Sequence, residues 1–432
     1  MGDAYISHDS HGITQIGLTG YIKFQPYSRH MDQNGHLARI EDSYDSDLRI
    51  TFNTETPLKY GTARIFHRNM ANEFRKLGVE ATFRDWDYND KDVLITKAHE
   101  REVRRAKAEN SDLTVGVVHP SDNDRGLVAE IEAADFLICN TEVERDYYLK
   151  YNPNIVVTHH AEYHPGVMKS YVDGPDSEPI EIAYHGNKGH LETMKHRITP
   201  ALDLLGKEYD VRFVAVYNVD SHGKWTTGVP NIDVEHVQHA EGPDMSRVHR
   251  RLSQCDIGIV PNYNEIPEQI KRLIKFYTSK WSSDAYHNDW LVRHKNTANA
   301  GRAFVFYQLG LPVVASPVPE CARVVVPERT GYLAHETAGW VDALERLVRD
   351  RQRRREMGLR GRKLVEEQYT MSQSAAILLS YIEAYESRET NRSTVLAENE
   401  LSRTRPPRAV FGALQRFQFL RRKLLTFLEQ LS

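Results

Sequence analysis

Beyond Leu48 the chain alternates short apolar runs with longer amphipathic ones, the pattern of βαβ units. "LRITFN" (48–53) reads as a strand and 61–78 as a helix closed by Gly78. "VEATF", "DVLIT", "LTVGVV", "FLIC" and "IVVT" read as further strands. The rhythm stops over 166–179, where Pro, Gly, Asp and Ser dominate and neither period survives, as expected of a linker. A second series follows: "EIAYH", a helix ending near Gly206, "VRFVAVY", "IDVEHV", a helix over 243–253, "DIGIVP" and a helix over 264–281. Two tandem doubly wound α/β domains, facing each other across a cleft, account for this order.

The ends of the chain read differently. Residues 1–47 alternate around Asn34-Gly35, which predicts a β-hairpin extension ahead of a first domain over 48–165. The second domain is expected over 180–370, followed by a returning helix over 371–390 and a polar stretch from 391. A last amphipathic helix over 409–431 sets Phe411, Leu414, Phe417, Leu420, Leu424, Phe427 and Leu431 on one face, beside Arg416, Arg421, Arg422 and Lys423. Such a face packs on the protein or a second copy, or lies on anionic lipid.

Composition narrows the class of function. With 432 residues the chain exceeds one ordinary core, and two domains of about 150 to 200 residues are expected. A net charge of -4 lacks the basic excess of a nucleic-acid binder. Cys139, Cys255 and Cys321 are too widely spaced for a zinc site or a disulfide framework. No signal pattern opens the sequence and no apolar run is long enough to span a bilayer, so a cytoplasmic protein is expected, with peripheral contact at the inner face of a membrane as an option for the tail.

Familiar site patterns are missing: G-x-G-x-x-G after the first strand of either domain, G-x-x-x-x-G-K-[ST], H-E-x-x-H and G-x-S-x-G. His159-His160 and nearby His164 have no carboxylate or cysteine at metal spacing and read as loop histidines. Asp-x-Asp triplets occur as "DSD" (45–47), "DWD" (85–87) and "DND" (122–124). The last, after "LTVGVVHP", could hold a divalent ion against a diphosphate, but chance in a chain with 60 acidic residues and a solvated loop with a helix N-cap explain it more simply. The richest stretch is "KNTANAGRAFVFYQLGLPVVASPVPE" (295–320). A helix starting near Asn299 points its unpaired N–H groups into the crevice at a strand's carboxyl end, and Lys295 and Arg302 add positive charge there. That describes a phosphate site without a glycine loop. An ordinary αβ unit whose cations lie along the surface remains the alternative.

"GLPVVASPVPE", "ERTGYLA", "WVDALERLVRDRQRRREMGLRGRKLVEEQY" and "CDIGIVP" resemble the nucleotide-sugar-binding domain of GT-B glycosyltransferases, particularly family four and its relatives. The first domain is similar more loosely, from "YGTARIFHRNMANEFRKLGVEA" to "ADFLICNTEVERDYYL". The resemblance implies transfer of a sugar from a nucleotide-diphosphate sugar to a glycan or lipid-linked acceptor, in surface polysaccharide biosynthesis. The crevice cations and helix N–H groups would neutralise the leaving diphosphate, so no metal is expected to be required. It places the base against Tyr217 and Pro261, and the diphosphate between Gly186-Asn187-Lys188 and Lys295/Arg302 at the helix starting near Asn299. Glu320 would meet ribose or sugar hydroxyls, and Gly61 would allow close approach from the first domain. His119 and Asp122 are the candidates for the acceptor's proton if configuration inverts. One departure stands out: the two glutamates usual in retaining members fall on Thr297 and Val305. A sugar-nucleotide epimerase and a silent nucleotide-sugar-binding module are the rival readings.

Overall fold

The computed structural model describes residues 6–8, 14–16, 46–120, 125–171, 179–262 and 298–387. Residues 1–44 form their own unit, in which β1 (Ile6–His8) pairs antiparallel with β2 (Thr14–Ile16), Ser7 opposite Gln15. The hairpin expected at Asn34-Gly35 lies outside the described residues, as do the helices expected over 264–281 and 409–431.

The rest of the chain holds two six-stranded parallel sheets. The first comprises β3 (Arg49–Phe52), β4 (Glu80–Phe83), β5 (Val93–Lys97), β6 (Thr114–Val118), β7 (Phe136–Cys139) and β8 (Ile155–Val157), in the order β4-β3-β5-β6-β7-β8. Helices cover both faces of a parallel sheet, so its central strands read as continuous apolar runs, and every residue of β6 and β7 is buried. Gly116 in β6 has no room for a side chain, since a Cβ there would stand 2.5 Å from the Phe136 ring.

The second sheet comprises β9 (Ile180–His185), β10 (Val211–Tyr217), β11 (Asp233–Gln238), β12 (Ile257–Val260), β13 (Val313–Ala315) and β14 (Gly331–Leu333), in the order β11-β10-β9-β12-β13-β14. Trp340, Leu344 and Leu202 fill one of its buried clusters, and Phe304, Phe306 and Leu311 fill another. Winding reverses between β3 and β5 in the first sheet and between β9 and β12 in the second. In open α/β sheets such reversals open a crevice at the strands' carboxyl ends, where ligands bind.

Two details depart from the simple alternation. The helix expected over 61–78 is α-helical at Gly61–Ala63, π-helical over Arg64–Asn69 and α-helical again over Met70–Lys76, and Gly78 follows at φ 90°. A π turn carries an extra residue, a register change that no period-3.6 pattern announces. The helix Met371–Glu386 turns back onto the first domain. It opens with a capping box between Thr370 and Gln373, and Tyr381 and Tyr385 lie 5.4 and 5.9 Å from the Phe136 ring. The chain therefore crosses between domains twice, through 158–171 and again at Tyr369–Thr370. Among the described residues no helix is long and apolar enough to cross a membrane.

Candidate functional site

The carboxyl ends of the two sheets enclose a cavity of about 380 Å³. From the first domain, the loop after β3 and the start of its helix bring Lys59, Tyr60, Gly61 and Arg64 to the wall. His160 and Glu162 come from the first crossing. The second domain supplies His185 at the end of β9 with Gly186 and Asn187 after it, Asn218 after β10, and Asn262 after β12. Asn299, Gly301 and Arg302 stand at the start of the helix Gly301–Gln308.

The wall is strongly one-sided in charge. Lys59, Arg64 and Arg302 are cations, and Glu162 is the only carboxylate lining it among the described residues. Glu162 is already committed: Arg64 donates Nε to Oε2 at 3.2 Å and Nη2 to Oε1, with both residues buried. Lys59 and Arg302 therefore remain as uncompensated charge. Arg302 donates Nη2 to Asn262 Oδ1 at 2.5 Å, while its Nη1 is buried without a partner. Asn299 Oδ1 accepts the N–H of Gly301 at 2.9 Å, which leaves the next N–H groups of that first turn directed out of the helix end.

The cavity's buried imidazoles are neutral at ordinary pH. Burial, and then the proximity of His239, which disfavours a second positive charge, holds His185 well below the usual histidine range. Burial, and then His119, lowers His160 to about 4. The His160 ring stacks on Phe66 at 5.3 Å between two glycines, since a Cβ on Gly61 or Gly301 would come within 3.3 or 2.9 Å of it. Its Nδ1 faces Asn299 Oδ1 at 3.4 Å, and its Nε2 is buried without a partner.

Of the residues singled out in the sequence, Gly61, Gly186, Asn187, Asn299 and Arg302 meet at this cavity. Gly186 has φ 136°, and a Cβ there would stand 2.8 Å from the Tyr184 hydroxyl. Pro261 is one residue short of the wall, which Asn262 reaches instead. Tyr217 is in the core, its hydroxyl accepting the Trp225 N–H at 2.7 Å and lying 2.9 Å from His236 Nδ1. Lys188 turns away and donates to the His222 carbonyl at 2.9 Å. Glu320 is buried against its own helix, with Arg323 Nη1 3.2 Å from each of its oxygens. His119, at φ 50°, is one ring behind the wall, 6.1 Å from His160 and with Nδ1 2.6 Å from Asn140 Nδ2. Lys295, Asp122 and Thr297 lie outside the described residues, and Val305 lines the cavity.

Sequence reasoning missed Arg64, Glu162, His160 and Asn262. Arg64 sits in an amphipathic helix where an arginine is ordinarily exposed. The usable signal was position: "THHAE" and "PN" directly follow the ends of β8 and β12, where a doubly wound sheet presents its ligand. Among the described residues no group of three or more His, Cys, Asp or Glu is arranged to hold a metal ion.

Residues 197–380 match a family model described as glycosyl transferase-like. No curated protein matches the chain. Among solved structures the chain is similar to the sucrose-phosphate synthase of Thermosynechococcus elongatus, at 11% identity and TM-score 0.53 over 80% of this chain and 100% of that one. It is also similar to Anabaena HepE in complex with UDP-glucose, at 11% identity and TM-score 0.52 over 78% and 100%. A glycosyltransferase from Rickettsia africae follows at 10% identity and TM-score 0.51 over 80% and 100%. At these identities the likeness is one of fold.

Proposed function

From the GT-B fold and a glycosyl transferase-like second domain, we propose that the chain transfers a sugar from a nucleotide-diphosphate sugar to a glycan or lipid-linked acceptor in surface polysaccharide assembly. The carrying observation is the charge of the cavity wall, whose single carboxylate among the described residues is spent on Arg64 while Arg302 offers an unpartnered Nη1 beside a helix start. A leaving diphosphate gains negative charge as the sugar departs. Arg302, Lys59 and the N–H groups of the first helical turn are arranged to take up that charge, an interaction that strengthens toward the transition state. Lys295 joins them in this reading. UDP-glucose bound in the similarly folded Anabaena protein supports a nucleotide sugar as the donor class.

The acceptor would enter from the first-domain side, past Lys59, Tyr60 and Gly61. In this reading His119, one ring behind His160 on the wall, and Asp122 are the candidates to receive the acceptor's proton if configuration inverts.

A panel of nucleotide sugars tested by thermal shift identifies the donor, because a ligand that binds only the folded state raises the melting temperature. With that donor, Arg302→Ala and Lys295→Ala are expected to lower kcat/KM on the order of a hundredfold each. Failure of every nucleotide sugar to shift the melt, or near wild-type turnover by both folded variants, would overturn the reading.

A further inference from the structure

Arg302 is held in place by neutral groups. Its partner is the Asn262 amide oxygen, 2.5 Å from Nη2, and its guanidinium carbon stands 5.8 Å from the centre of the Tyr184 ring. The Tyr184 hydroxyl donates to the Asn187 carbonyl at 2.7 Å, which fixes the ring against which the arginine rests. Gly186 leaves the remaining space open, since a Cβ there would come within 3.3 Å of Arg302 Cδ.

Asn262 is itself immobilised. It is buried, its N–H donates to Ser316 Oγ at 3.0 Å, and its Nδ2 faces Cys321 Sγ at 3.7 Å. The amide therefore presents oxygen to the arginine on one side and nitrogen to the thiol on the other. A partly buried guanidinium is ordinarily matched with a carboxylate, as Arg64 is with Glu162 in the same cavity lining. At Arg302 the acceptor carries no charge. An amide oxygen can orient one arm of the fork while leaving the full positive charge available to the other.

We infer that Asn262 is a positioning residue that aims Arg302 Nη1 at the donor's diphosphate, and that its neutrality is what keeps this arginine able to bind anions. The inference rests on the cavity being the diphosphate site. Asn262→Asp keeps the size and the acceptor oxygen but adds a charge that pairs with the guanidinium. The unliganded melting temperature should hold or rise, while affinity for nucleoside diphosphates and for inorganic pyrophosphate falls about tenfold or more. Asn262→Ala adds no charge and only frees the fork. It should weaken the same probes by a smaller factor, about threefold to tenfold, with kcat for the identified donor falling further than KM changes. Opposite movements of stability and affinity in the Asp variant are not produced by a residue that merely packs.

Calorimetric titration of wild type, Asn262→Asp, Asn262→Ala and Arg302→Ala separates the outcomes. Loss in Arg302→Ala together with loss in Asn262→Asp supports the inference. Loss in Arg302→Ala with wild-type affinity in Asn262→Asp overturns the inference alone. Wild-type affinity in Arg302→Ala, or no binding by the wild type, overturns both it and the reading of the cavity.

Discussion

Arg64 and Glu162 stand 98 positions apart in the chain and meet as a buried fork-on-carboxylate pair at the cavity wall. The remaining arm of Arg64 donates to the Leu58 and Lys59 carbonyls at 3.2 and 3.5 Å, and the Glu162 carbonyl accepts Gln308 Nε2 at 2.9 Å. One line of bonds thus runs from the loop before Gly61 to the helix that carries Arg302. Removing one partner strands a buried charge, so Glu162→Gln should cost about 3 to 5 kcal/mol in urea unfolding. The double variant Arg64→Met/Glu162→Leu should recover much of that loss. Additive losses in the double variant would contradict the pairing.

Gly186→Ala tests the wall beside that arginine. An alanine at φ 136° carries a backbone strain of about 1 to 3 kcal/mol, and its methyl group would press on the Tyr184 hydroxyl. Both stability and nucleoside-diphosphate affinity should drop, as read by denaturant melts and calorimetric titration. Unchanged affinity would mean that Gly186 and Tyr184 do not shape the proposed diphosphate site.

Acid should destabilise the protein well above the carboxylate range. Burial is the leading cause holding His159, His160 and His249 at about 4 and His67 at about 3. In the unfolded chain each returns to about 6.5. Between those values the unfolded state binds more protons, so stability is lost as pH falls from about 6.5 toward 4 and is fully present above that window. Scanning calorimetry should show a melting temperature level from pH 8 to 7 that declines steeply below 6.5. A level melting temperature down to pH 4.5 would contradict the burial of these rings.

Under the proposed reading turnover should persist in EDTA without added divalent ion, since Arg302 and Lys59 on the cavity wall and the helix start would supply the positive charge at the leaving group. Complete loss that Mg²⁺ restores would instead assign a role to the carboxylates of 122–124.

Much of the architecture was legible because parallel strands buried on both faces leave runs such as "VLIT", "FLIC" and "IGIV" that few other structures produce. The lining of the candidate cavity was legible where residues follow a strand's carboxyl end or stand at a helix start, as Gly186, Asn187, Asn299 and Arg302 do. It was illegible where a role depends on distant pairing. Nothing local tells that Glu162 is neutralised by Arg64, or that Tyr217 spends its hydroxyl inside the core on Trp225 and His236. Glu320 shows the same limit at short range, since a helical neighbour three residues on, Arg323, occupies its carboxylate.

The two passages of the chain between the domains touch each other. The Ser374 hydroxyl donates to the His159 carbonyl at 3.3 Å, and the rings of His159 and Tyr369 are 4.7 Å apart. The two threads thus meet at one place in the fold. A protease that cut either thread would leave a molecule still joined by the other, with both halves of the cavity wall attached. Expressing the first domain as a continuous segment would omit Met371–Glu386, the helix whose Tyr381 and Tyr385 cover Phe136. The halves of the cleft are separate in architecture but are not separable pieces of sequence.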